Sequence, residues 1–162
     1  KEATVLVEAI NRVHRHSEAT STHEKVTRPL IVLVAKYDSW CMLLNRDRLP
    51  DPWEEVGPDE TAAFDCTMVE QISREVRSLC LRYCAEIVHK AEEFAQNVVY
   101  IPVSAYGSTP QWDHATGKLG IRPEEINPMW VDVPLLYVLT KFKRGYIRKA
   151  PDAGASSNAA SR

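Results

Sequence analysis

The chain has 162 residues, which is about one domain at roughly 100–200 residues per domain. Hydrophobic residues make up 44% of it and charged residues 26%, as in ordinary globular folds, and the formal net charge is −2. This balance removes the usual basis for binding nucleic acid or anionic membranes, which depends on excess Lys and Arg. The longest apolar run, Leu30 to Ala35, is much shorter than the ~20 residues of a membrane span.

The start of the chain and its cysteines indicate its origin. The first residue is Lys1 rather than Met, and it leads directly into a helical pattern, so we expect a piece of a longer protein. No apolar leader indicates secretion, and four irregularly spaced cysteines fit a reducing compartment, so we expect a cytoplasmic location.

Cys80 and Cys84 would share one helix face, but His89 lies off that face. A structural zinc site needs more ligands than this pair, so we interpret the two as buried thiols.

The first part of the chain predicts a helix, a loop and a strand. Apolar residues recur at helical spacing from Ala3 to His14, and a polar segment from Ser17 to Thr27 follows as a loop. The apolar run from Leu30 to Ala35 is rich in β-branched residues and has no alternation, which is typical of a strand covered on both faces. Three prolines and several acidic residues between Leu49 and Pro58 predict a loop.

The middle of the chain predicts a long helix and a second strand. Thr67 and Glu70 match a capping box, and helical spacing continues to Gln96, so the helix is long enough that we expect a bend. Asn97–Val103 forms a second buried-strand pattern. Pro102 lacks an amide proton, which favours a strand edge or end.

The last part predicts a loop through two glycines and a helix from Pro134. We expect a domain over residues 1–148 and a disordered tail over 149–162, because the tail is composed of small and polar residues. The order of helix, strand, long helix, strand and helix predicts an α/β fold, with parallel strands joined by crossover helices in a three-layer arrangement.

Each predicted strand ends in a short polar segment, Ala35-Lys36-Tyr37-Asp38 and Ser104-Ala105-Tyr106-Gly107. Ligands of open α/β sheets bind at these carboxyl ends. The first segment resembles the Asn-Lys-x-Asp motif, and the second the Ser-Ala-x motif, of P-loop GTPases of the Ras-like and translation-factor class. The resemblance implies a partial three-layer P-loop GTPase-like fold, of which this chain is the C-terminal, base-recognition half.

The resemblance also implies a role for each residue of the two segments. Asp38 would accept hydrogen bonds from guanine N1–H and its N2 amine, and Lys36 would lay its stem along the base. The N–H of Ala105 would contact O6, and Ser104 would support the turn. The sequence departs from the family at Ala35, where Asn or Thr is usual, and this puts guanine selectivity in question.

The phosphate-binding and catalytic motifs of the family do not occur in this chain. Gly-x-x-x-x-Gly-Lys-Ser/Thr is absent, and the one Gly-Lys pair, Gly117-Lys118, is followed by Leu119. No Asp-x-x-Gly switch or magnesium-holding Thr has a counterpart. We therefore expect weak or no binding of GTP or GDP by this chain alone, no Mg²⁺ bound by its residues and no GTP hydrolysis.

A finer resemblance connects the chain with the bacterial double-GTPase group. It depends on four short segments, which are Ser73–Arg77, Val103–Gly107, Ile121–Pro123 and Pro134–Tyr137. Two strands do not protect both faces and both edges of a parallel sheet, so we expect pairing with a missing N-terminal half, a second copy or a protein partner.

Two alternatives remain beside this interpretation. Ser104, Asp113 and His114 match a hydrolase set only in residue type, because no Gly-x-Ser-x-Gly elbow surrounds the serine. The other alternative is a degenerate GTPase-like α/β scaffold or interaction module that binds no nucleotide.

Overall fold

A computed structural model describes residues 7–9, 12, 25–56, 61–113, 117–143 and 145–151. In this part of the chain the strands and helices run as follows: β1 Leu30–Val34, α1 Tyr37–Trp40, β2 Trp53–Val56, β3 Thr61–Phe64, α2 Cys66–Phe94, β4 Val98–Pro102, β5 Gln111–Asp113, β6 Lys118–Gly120 and α3 Val133–Phe142. Short 3₁₀ turns cover Cys41–Leu44 and Pro123–Glu125. Residues 7–9 and 12 are helical, and the rest of the predicted first helix lies outside the described residues.

The two predicted strands pair with each other. β1 and β4 run parallel, in a register that starts with Leu30 opposite Val98 and ends with Val34 opposite Pro102. The long connection between them contains α2, which packs against β4. The predicted mixed α/β class and the parallel pairing across a helical connection are therefore confirmed for a small, two-stranded sheet.

The two edges of this sheet differ. Successive peptide groups of a strand point to opposite sides, and on the outer side of β4 the Tyr100 N–H donates to the buried Ser73 Oγ of α2 at 2.8 Å. The next outward position is Pro102, which has no N–H. On β1, Ile31 and Leu33 direct their peptide groups away from β4, and in the described part of the chain no strand pairs with them. α2 thus protects one edge, and no described strand pairs with the other.

Helix α2 begins differently from its predicted start. Asp65 is the N-cap, because its Oδ1 accepts from the Met68 N–H at 2.9 Å. The predicted capping box of Thr67 and Glu70 is therefore wrong by two residues. Glu70 instead accepts hydrogen bonds from the Tyr137 hydroxyl at 2.9 Å and, over 2.7 Å, from the Lys141 ammonium, which joins α2 to α3.

The predicted bend in α2 is present at Cys84, whose φ of −149° and ψ of 49° are not helical. Arg77 and Glu92 are 15 residues apart, a distance of roughly 22 Å along a straight helix. They nevertheless form a two-point ion pair, with one N···O distance of 2.8 Å, so the chain folds back at Cys84. Glu92 also accepts a hydrogen bond from the Tyr100 hydroxyl of β4.

Two segments that the sequence predicts as loops contain hairpins instead. β2 pairs antiparallel with β3, and β5 pairs antiparallel with β6. In the first hairpin Trp53 lies opposite Phe64, and their rings meet edge to face at 5.4 Å between centroids. This aromatic cross-strand pair stabilises the hairpin. Its strands are too short to show a clear alternating pattern in the sequence, and the nearby prolines favour a loop instead.

The core lies between α2, β4 and α3. Its largest fully buried side chains include Phe64, Ile72, Val76 and Ile101, and β4 is covered almost completely. Lys149 and Ala150 fall in the predicted tail, yet Ala150 is buried and donates its N–H to the Phe64 carbonyl. The predicted tail beyond residue 151 lies outside the described residues. Among those described, no helix combines the length and apolar composition that crossing a membrane requires.

The Arg77–Glu92 pair predicts an acid-dependent loss of stability. The hydrogen bond from Arg77 lowers the pKa of the Glu92 carboxyl from the usual 4.5. The folded-state pKa is thus the lower one, so the contribution of the pair is complete above about pH 5 and is lost as pH falls through the folded-state value. We expect the free energy of unfolding to fall more steeply from about pH 5 to pH 3 in the wild type than in Glu92→Gln, measured by urea denaturation. The exposed Glu86→Gln on the same helix is the control, and equal slopes in Glu92→Gln and the wild type would contradict the prediction.

Candidate functional site

The chain segments that follow β1 and β4 lie side by side. The Val103 N–H donates to the Val34 carbonyl at 3.0 Å, and the Tyr37 N–H donates to the Val103 carbonyl at 3.1 Å. The parallel ladder therefore continues past the last residue of each strand. This continuation brings the predicted residues Lys36 and Asp38 next to the predicted residues Ser104 and Ala105.

Lys36 stands at a sharp turn between β1 and α1. Its φ of 58° and ψ of 44° lie in the left-handed region, which costs an L-residue with a side chain about 1–2 kcal/mol. The next residue, Tyr37, is fully buried, and its hydroxyl donates to the Arg46 carbonyl. Burial raises the pKa of Tyr37, so this hydroxyl stays protonated as a donor. The buried ring between them holds Lys36 and Asp38 in place.

Ala35 has no side-chain polar group to fasten this loop, and its backbone is held instead. The Trp40 Nε1–H donates to the Ala35 carbonyl at 2.9 Å. The Trp40 ring also meets the Tyr37 ring edge to face, with centroids 4.9 Å apart. One indole therefore closes the loop from β1 into α1.

The Asp38 carboxylate is bound directly by Ser104. The Ser104 hydroxyl donates to Asp38 Oδ1 across 66 residues of sequence, and it accepts from the Gly107 N–H at 2.9 Å. Ser104 is only 2% exposed, and its N–H and carbonyl both bond to the backbone of Met129, at 3.0 and 2.8 Å. A buried, fully bonded serine thus sets the orientation of the carboxylate.

Two further donors lie on the outer side of the same carboxylate. Asp38 Oδ2 accepts from the Ser39 hydroxyl at 3.3 Å and from the Thr109 hydroxyl at 3.4 Å. The exposed Ala105 directs its N–H to no partner among the described residues. Ser39 adjoins Asp38 in sequence, whereas Thr109 approaches only through the path of the loop after Gly107, which no sequence pattern indicates.

The other sites weighed from the sequence have different surroundings. Cys80 is buried, which raises the pKa of its thiol to about 11, and Cys84 is half-buried at the bend of α2. Within the described ranges, no group of three or more His, Cys, Asp and Glu side chains is placed to hold a metal ion. Ser104 is buried against Asp38, and the predicted third member of a hydrolase set, His114, lies outside the described residues.

A cleft of about 250 Å³ lies beside the β5–β6 hairpin rather than at the strand ends. Its charged lining contains two cations, Lys118 and Arg122, and two carboxylates, Asp113 and Glu125. The charges balance, so the cleft favours no ligand of one sign.

In comparisons with known proteins, no family model matches the chain, no curated protein does, and no solved structure does. The interpretation of the site therefore depends on its own residues and geometry.

The turn after Ser104 predicts a strong effect for Gly107→Ala. Gly107 has a φ of +70°, and a Cβ there would lie 1.7 Å from the carbonyl oxygen of Asn127. Because that oxygen belongs to the backbone, the loop must move, and we expect Gly107→Ala to lower the free energy of unfolding by about 2–4 kcal/mol.

Gly117→Ala is the matched control, since Gly117 has a φ of +64° with open space around its missing Cβ. It should cost only about 1–2 kcal/mol from the left-handed backbone. Chemical denaturation of both variants measures the difference, and equal losses would show that the contact with Asn127 is unimportant.

Proposed function

We propose that this chain is the guanine-base-binding part of a P-loop GTPase domain, whose phosphate-binding and catalytic half is supplied from outside the described strands. The observation that carries the proposal is the Asp38 carboxylate, fixed by buried Ser104 at the carboxyl ends of two adjacent parallel strands. Such ends are where open α/β sheets bind ligands.

The groups at the strand ends complement the Watson–Crick edge of guanine. That edge presents an acceptor at O6 and donors at N1 and N2, in this order. The Ala105 N–H offers a donor, and the two oxygens of Asp38 are acceptors, so all three positions would find a partner once the base displaces one of the two hydroxyls bonded to Oδ2. Adenine presents a donor at the position of O6 and an acceptor at N1, so the same groups would reject it. The wrong base would leave the polar groups of the site unpaired, and this disfavours its binding.

The conformation of Lys36 also supports the proposal. Left-handed backbone at a residue with a side chain is unfavourable, and such strained residues cluster at functional sites, although Asn45 and Trp130 also adopt it here. A lysine at this position suits a base-binding role, since its aliphatic stem can cover the face of a base while its ammonium stays in water.

The open edge of β1 supports a missing half. Leu33 is 55% exposed on a strand composed only of aliphatic residues, and the peptide groups of Ile31 and Leu33 point away from β4. A further parallel strand beside β1 would pair with these peptide groups, and a layer packed on the face of the enlarged sheet would cover Leu33. The carboxyl end of that strand would lie next to Lys36 and Asp38, where a phosphate-binding loop could hold the other end of the same nucleotide.

A nucleotide-free scaffold is the second candidate, and Ala35 favours it. The family uses Asn or Thr at this position, and here the Trp40 indole holds the loop through the Ala35 carbonyl instead. In this case the same open edge of β1 would bind a protein strand, and the residues at the strand ends would have only a structural role.

The proposal predicts a change of base preference in Asp38→Asn. GDP at millimolar concentration should raise the Tm of the wild type, and ADP should not. In the variant one acceptor becomes an N–H donor, so the GDP effect should disappear, with a loss of about 100-fold or more in affinity. XDP should now raise the Tm, because xanthine carries an oxygen where guanine carries the N2 amine.

The rescue by XDP separates loss of binding from loss of folding. Thermal unfolding with each nucleotide is the measurement. If GDP leaves the wild-type Tm unchanged up to millimolar concentration, the scaffold is the correct interpretation.

Lys36→Gly should affect stability and binding in opposite directions. Glycine adopts the left-handed backbone without strain, so the Tm without nucleotide should stay equal or rise by a few degrees. GDP binding should weaken several-fold, because the lysine stem no longer covers the base. Lys36→Met keeps the apolar stem and is the control that should retain most of the binding. Unchanged GDP affinity in Lys36→Gly would exclude the stacking role.

A further inference from the structure

We infer that Thr109 is an additional specificity-determining residue of the base site, which occupies the acceptor position on Asp38 that the N2 amine of guanine would use. The inference rests on the proposed function. It concerns one contact, the hydrogen bond from Thr109 Oγ1 to Asp38 Oδ2 at 3.4 Å.

The order of groups along the site assigns the two carboxylate oxygens. Ala105, the donor for O6, directly follows Ser104 in the chain, and Ser104 holds Oδ1 of Asp38. The O6 end of the base therefore lies on the Oδ1 side. Because N1 adjoins O6 and N2 lies beyond it, N1–H meets Oδ1 and the N2 amine meets Oδ2, where the Thr109 hydroxyl already donates.

The two oxygens differ in how firmly the protein holds them. The Ser104 contact with Oδ1 is part-buried, and Ser104 is fixed on both sides by Met129. Both contacts with Oδ2 are exposed and, at 3.3 and 3.4 Å, longer than the ~2.7–2.8 Å usual for hydroxyl donors. Oδ2 has two acceptor positions, and the hydroxyls of Ser39 and Thr109 use both. A ligand amine must therefore replace a weakly held hydroxyl.

Of the two hydroxyls on Oδ2, that of Thr109 is the one that the base would displace. Ser39 belongs to the same helical turn as Asp38 and stays beside it, whereas Thr109 is 71 residues away and closes the loop after Gly107 over the carboxylate. Without the Thr109 hydroxyl, Oδ2 keeps a free acceptor position toward solvent. Bases with an N2 amine gain from that position, and bases without one do not.

Thr109→Val tests this inference, because valine keeps the size and branching of threonine and replaces the hydroxyl with a methyl group that donates no hydrogen bond. We expect GDP affinity to rise about threefold, as befits the loss of a weak competing hydrogen bond. Affinity for IDP, whose base lacks the N2 amine, should remain as in the wild type. Thr109→Ser retains the hydroxyl and should behave as the wild type with both nucleotides. Titration calorimetry or the nucleotide-dependent Tm shift measures these affinities.

The outcomes distinguish this inference from the proposed function. A gain for GDP alone, measured against a wild type that itself binds GDP, supports the role of Thr109. If the wild type binds GDP in a manner that depends on Asp38, but Thr109→Val binds it no tighter, or gains equally for IDP, the inference is wrong and the proposed function stands. If neither the wild type nor Thr109→Val binds GDP, both are overturned.

Discussion

The hydrogen bond between Ser104 and Asp38 depends on the register of the parallel sheet. The two residues are 66 positions apart, and only the pairing of β1 with β4 brings their segments together. A shift by one residue would turn the side chains of β1 to the opposite face and separate the serine from the carboxylate. The site and the sheet are therefore one structural unit, and the burial of Ser104 and Tyr37 ties its geometry to the core.

The bend at Cys84 makes the long connection compatible with that register. A straight α2 would extend past a five-residue strand, and folding back lets Glu92 reach both Arg77 and the Tyr100 hydroxyl. The same helix supplies the Ser73 hydroxyl that protects the outer edge of β4. One helix thus covers β4 and closes one side of the sheet, and among the described residues no strand pairs with the other side of β1.

The sequence predicted the strongly patterned elements and not the short ones. Both parallel strands and the bend of the long helix follow from continuous apolar runs and from helical spacing, although β1 is less covered than its apolar run predicts, since Leu33 is 55% exposed. The sequence also places the four candidate residues at strand ends, whereas their roles toward guanine come from the resemblance and stay a proposal. The β2–β3 hairpin depends instead on a pairing of Trp53 with Phe64, and the N-cap at Asp65 on a local hydrogen bond. The contact of Thr109 with Asp38 depends on the path of the loop after Gly107, and that path is set by three-dimensional contacts that no sequence pattern indicates.

The proposed base site follows β1 directly, and the edge of β1 away from β4 is unpaired in the described residues, so the proposed function would link two binding events at this strand. The loop at Lys36 continues directly from β1, so a strand that pairs beside β1 would also restrict the strained turn that presents Asp38. If one nucleotide spans the base-binding half and a phosphate-binding half, it raises the affinity of the two halves for each other. By linkage, association of the halves raises the affinity for the nucleotide by the same factor. Under the proposed function, weak binding by this chain alone would then follow from the unpaired edge of β1 in the described residues, since a strand that pairs there would supply the free energy that completes the site.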